Sequence, residues 1–87
     1  MSYSWQGRCY EQKYGNQELT DIYLVFEASE TEYASHADTI QNVIGSKILA
    51  VEKYYDGDWD YQHVTFIVKD EYRDEVIAEV EKYFKYA

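Results

Sequence analysis

Between Leu19 and Ala28 the side chains alternate with a period of two, placing Ile22, Leu24, Phe26 and Ala28 on one side and Asp21, Tyr23, Val25 and Glu27 on the other. Only an extended backbone sends successive side chains to opposite faces, so this run is a half-buried strand. Such a strand cannot bury its apolar side alone, and its partners and cover must come from the rest of the chain. Upstream, Tyr3 to Tyr14 carries aromatic residues and few helix signals, and Gly15-Asn16 supplies a turn, which predicts a first hairpin. Downstream, Ser29 followed by Glu32 forms a capping box. Tyr33, Ala37, Ile40 and Ile44 then recur at spacings of four, three and four, and Gly45 offers a left-handed stop, so a helix is expected over 30–44.

The same order returns in the second half. Ile48 to Tyr55 reads as a strand, Asp56-Gly57 as a turn, and Tyr61 to Val68 as another strand with Val64, Phe66 and Val68 on one face. Asp70 is placed to cap a final helix whose Tyr72, Val76, Ile77, Val80, Tyr83 and Phe84 follow the helical period. The expected fold class is α+β, a two-layer ββαββα sandwich. Its sheet is mainly antiparallel and four-stranded, with two helices on one face. The 87 residues leave room for one domain, residues 1–87, and contain no Pro-rich, Gly-rich or low-complexity linker. Tyr23 faces away from the helices in this arrangement, with Tyr10, Tyr14 and Tyr61 as candidates to join it. These tyrosines either thicken a small core with their hydroxyls wet or form a contact surface.

Charge excludes several function classes. Seventeen Asp and Glu stand against eight Lys and Arg, a net charge of −9, which opposes direct binding to nucleic acid or to an anionic membrane. An apolar content of 46% supplies enough hydrophobic surface to argue against disorder. A single cysteine, Cys9, cannot form an internal bridge, and the absence of a basic leader or a long apolar run reads as an intracellular, cytoplasmic chain. That cytoplasm is the host cell's if the chain is phage-encoded. No cofactor is implied. Catalysis is not expected either: Asp60, His63, His36 and Cys9 are the available acid, base and nucleophile types, but no recognised spacing links them.

Two carboxylate arrays stand out. Asp56, Asp58 and Asp60 alternate through a segment that includes Trp59 and is flanked by Tyr54, Tyr55 and Tyr61. It resembles the opening of a calcium-binding EF-hand loop, yet Tyr61 stands where that loop needs Gly and Ile67 where it needs a bidentate Glu, so no metal site is assigned. The segment is then either a solvated hairpin tip or a partner-binding tip anchored by Trp59. Glu71, Glu75 and Glu79 follow at four-residue steps on the last helix, with Asp74 beside them. Like charges four residues apart destabilise a helix by a few tenths of a kcal/mol per pair. Arg73, Lys82 and Lys85 offer partial neutralisation, which leaves a solvated face or a functional acidic stripe.

Carboxylates four apart on a helix stand about 6 Å apart and alternate strand residues about 7 Å, close to the spacing of neighbouring phosphates on one nucleic-acid strand. In length, net charge, the Asp56/Asp58/Asp60 tip and the Glu71/Glu75/Glu79 row, the chain resembles the small acidic proteins with which phages block host defence, the anti-CRISPR and anti-restriction DNA mimics. The resemblance implies a non-enzymatic inhibitor that occupies the basic nucleic-acid-binding site of a host nuclease or effector. Its contact residues would be Tyr55, Asp56, Asp58, Trp59, Asp60, Tyr61, Glu71, Asp74, Glu75 and Glu79. The alternative is a small protein-interaction or homodimerisation module that uses an aromatic sheet face or an edge strand.

Overall fold

The alternating run forms β2 (Gln17–Glu27), the central strand of the sheet. The computed structural model describes residues 1–87. β2 pairs antiparallel with β1 (Ser2–Tyr10) on one side and with β4 (Tyr61–Lys69) on the other, and β3 (Ala50–Asp56) pairs antiparallel with β4. Register puts Trp5, Ile22 and Phe66 in one row and Tyr3, Leu24 and Val64 in the next. Directly opposed residues share a face, so these rows form the apolar side of the sheet.

That side is covered by α1 (Thr31–Ile44), which buries Ala37, Ile40 and Ile44, and by α2 (Arg73–Val80), which buries Val76 and Val80. Together with Phe26, Val68 and Phe84 they make one continuous core. Each such aliphatic or aromatic side chain contributes about 1.5–3 kcal/mol by leaving water. The fold is α+β in two layers with both helices on one face.

The sheet differs from the expected one. A fifth strand, β5 (Lys85–Tyr86), runs parallel to β1 at Ser2 and Tyr3, so the sheet is five-stranded and mixed, in the order β3-β4-β2-β1-β5. Two residues carry no detectable period. What holds them is the Lys85 N–H donating to the Met1 carbonyl at 3.0 Å and the Ala87 N–H donating to the Tyr3 carbonyl at 2.8 Å. The final helix is shorter than its apolar spacing suggests, because Tyr83 and Phe84 lie in the turn that leads to β5.

The expected caps are also corrected. Neither helix has a side-chain cap: Glu30, between Ser29 and Glu32, occupies the N-cap of α1, and Tyr72 that of α2. Asp70 instead accepts a 2.8 Å hydrogen bond from the Thr20 hydroxyl, which ties the start of the last helical segment to β2. Gly45 is right-handed (φ −58°, ψ −27°) and opens a short 3-10 turn over Gly45–Lys47 in place of a left-handed stop. The first hairpin is present, but β1 ends at Tyr10. The loop after it passes through three successive left-handed residues, Tyr14, Gly15 and Asn16.

Candidate functional site

The β3–β4 hairpin projects from one end of the sheet. β3 and β4 pair up to Asp56 opposite Tyr61, and the turn between them is closed by Asp60 in the left-handed region (φ 56°), a conformation Asp tolerates better than most residues. Two contacts fix the carboxylates. Asp56 Oδ1 accepts the Asp58 N–H at 3.1 Å, and Asp60 Oδ1 accepts the Tyr55 hydroxyl at 2.8 Å. The bond to Asp60 also raises the Tyr55 hydroxyl pKa above its ordinary value. Trp59 is 73% exposed, Tyr54 64% and Tyr55 53%, the three largest exposures among the aromatic side chains beside Tyr86 at the chain end.

The sheet brings further acids to this end. The Ala28 N–H donates to the Asp60 carbonyl at 2.8 Å, and Glu27 lies opposite Tyr61. Glu27 and Glu30 therefore flank the hairpin, thirty residues away in sequence. No sequence signal links them to the tip, since only the β2–β4 register does so. None of Glu27, Glu30, Asp56, Asp58 or Asp60 makes an ion pair.

The helical row is different. Glu75 pairs with Lys47, Asp74 with Arg73 at 3.1 Å and Glu79 with Lys82 at 2.8 Å, which leaves Glu71 without a cationic partner. Glu71 also precedes α2, in the 3-10 turn Asp70–Tyr72, so the row is not one helical stripe. The hairpin tip lies at the Tyr61 end of β4 and Glu71 just beyond its Lys69 end. A nine-residue strand spans about 27 Å, so Asp56, Asp58 and Asp60 do not merge with Glu71, Asp74 and Glu75.

The sheet face away from the helices is not an open tyrosine plane. The 11–16 loop folds over one half of it. There Tyr10, Leu19 and Ile67 form a second small core against which Tyr14 and Ala50 pack. Lys13 Nζ donates to Glu52 at 2.6 Å and the Tyr14 hydroxyl donates to the same carboxylate oxygen at 2.8 Å. These two bonds hold Glu52 below its ordinary pKa. On the uncovered half, the Tyr23 hydroxyl meets His63 Nδ1, and the His63 ring lies between those of Tyr23 and Tyr54. His36 stacks on Tyr83 at 4.6 Å between ring centroids, away from His63 on the helical layer. Cys9 is exposed on β1. No three His, Cys, Asp or Glu side chains are grouped to hold a metal ion. No helix is long and apolar enough to cross a membrane.

The chain matches no protein-family model, no curated protein and no solved structure.

Proposed function

We propose that the protein is a non-enzymatic acidic inhibitor, of the anti-CRISPR or anti-restriction type, that occupies the basic nucleic-acid-binding site of a host defence nuclease or effector. The observation that carries this reading is the contrast between the two acidic arrays. At the β3–β4 end, five carboxylates make no ion pair and Trp59 is exposed, whereas the acids of α2 mostly neutralise the chain's own Lys and Arg. The contact site is therefore Tyr55, Asp56, Asp58, Trp59, Asp60 and Tyr61, extended by Glu27 and Glu30. Glu71, Asp74, Glu75 and Glu79 contribute long-range attraction.

The chemistry follows from the parts. Asp58 and Asp60 accept from Lys and Arg in charge-assisted hydrogen bonds, and Trp59 stacks on a guanidinium or takes a base-stacking position. Local bonds from Tyr55 and Asp58 already hold the hairpin carboxylates, which lowers the ordering cost of binding.

Affinity capture from host lysate, run beside a chain carrying Asp56→Asn, Asp58→Asn and Asp60→Asn, tests the proposal. A nucleic-acid-binding protein retained by the native chain, released by added DNA or RNA and by salt, and not retained by the variant is the expected result. Retention that ignores salt and coexists with bound nucleic acid rejects mimicry.

A further inference from the structure

β3 is an edge strand, and nothing in the fold covers its outer side. The opposite edge is partly closed by β5. β3 pairs one to one with β4 along its seven residues, without proline and without a bulge to twist its outer groups away. An edge of this length presents a row of backbone donors and acceptors to any extended chain, and natural proteins usually guard it. The guard here is Lys53. In a chain with seventeen acids Lys53 makes no ion pair, and the two residues after it are the exposed Tyr54 and Tyr55.

We infer that a second copy of this chain adds to β3, antiparallel, across a two-fold axis at Tyr54, joining the two sheets into one. Opposed residues of an antiparallel pair share a face, so a symmetric register is defined by the residue that meets itself. Lys53 on the axis would press together two cations that have no ion pair in the fold, and Glu52 on the axis would oppose two carboxylates while leaving Tyr54 against Ala50. With Tyr54 on the axis, Tyr54 packs on its counterpart. On the other face, Lys53 then lies opposite Tyr55 twice over, a cation against an aromatic ring in each half. This register also sets Glu52 against Asp56 in each half, a like-charge cost that Lys13, already bound to Glu52, offsets. This pattern reads on itself, which selects a second copy over an unrelated strand. One strand pair and its tyrosines bury less than the roughly 1,600 Å² of a standard interface, so a micromolar dimer is expected. The antiparallel arrangement points the two hairpin tips away from each other, and of their carboxylates only Asp56 lies within the strand pair.

Sedimentation across the micromolar range should show a monomer–dimer equilibrium that persists at high salt. Tyr54→Lys, at an exposed site that leaves the circular dichroism unchanged, should raise the dissociation constant about tenfold or more. In a Cys9→Ser background, Tyr54→Cys should oxidise readily to a symmetric disulfide, because self-opposed Cα atoms lie about 4.5–5.5 Å apart, within disulfide range. Tyr23→Cys on the sheet face should not. A monomer at every concentration overturns the inference. So does a dimer that Tyr54→Lys leaves intact or that cross-links faster through Tyr23→Cys. Partner capture that survives in Tyr54→Lys separates this result from the fate of the proposed inhibition.

Discussion

Asp21 is a carboxylate buried in the sheet, and two neighbours account for its position: the Tyr10 hydroxyl donates to it at 2.7 Å and Arg8 Nη1 approaches at 3.4 Å. Removing the hydroxyl with Tyr10→Phe leaves an under-satisfied buried acceptor, and the expected loss is about 1–3 kcal/mol of unfolding free energy, read by urea titration. The same environment acts on the tyrosine. Burial, reinforced by the bond to Asp21, pushes the Tyr10 hydroxyl up to about 12, and burial with a bond to Glu81 does the same for Tyr3. A hydroxyl whose pKa is higher in the folded than in the unfolded chain contributes stability below the unfolded value of 10.0 that is lost as pH rises toward 12. Unfolding midpoints should therefore hold up to about pH 10 and fall above it, with Tyr10→Phe flattening part of that decline. None of this is visible in the alternation around β2. The pattern places Asp21 on the solvent side, and it is Tyr10 and Arg8 of β1 that close over it.

At the scale of elements, the 11–16 loop is the clearest case of structure the chain encodes without advertising. Tyr14 holds a left-handed backbone (φ 59°, ψ 28°), costly for a bulky residue, and is retained by its edge-on packing against Tyr10 and by its bond to Glu52. Glu52→Gln removes the charge that gathers Lys13 and Tyr14. Hydrogen exchange of residues 11–16 should accelerate while the protection of β2 and β4 stays unchanged, since an exposed ion pair contributes little to global stability. Acid should have the same local effect. The Glu52 pKa is lowered in the fold, so its contribution is present above the ordinary value of 4.5 and is lost as pH falls through and below it. The long elements were legible because burying one face imposes a period, as with Ile22, Leu24 and Phe26 or Ala37, Ile40 and Ile44. β5 and the role of Asp70 were not, because each depends on a partner distant in sequence, and neither was Gly45, because the Ile48 N–H closes a right-handed 3-10 turn on its carbonyl. The hairpin acids were legible as a cluster. Their separation from the α2 acids, and their proximity to Glu27 and Glu30, required the register of β2 against β4.

For the molecule as a whole, a net charge of −9 is confined within 36 × 26 × 22 Å. At about 0.01 M salt the screening length is about 30 Å, so nearly every carboxylate repels every other. At about 0.1 M it is about 10 Å, and only near neighbours interact. Screening relieves a compact state more than an expanded one, so the thermal midpoint should rise between those two concentrations. Binding to a basic partner should respond in the opposite sense, because screening weakens the attraction between the hairpin carboxylates and Lys or Arg. The two signs exclude unfolding as the cause of any affinity lost in salt. Asp58→Asn should raise the midpoint at low salt and, at the same time, reduce the salt dependence of binding. A variant at Glu75, whose charge already pairs with Lys47, should change the salt dependence of binding less. Equal effects at Asp58 and Glu75 would mean that the partner senses the total charge of the molecule, and would remove the hairpin as the contact site.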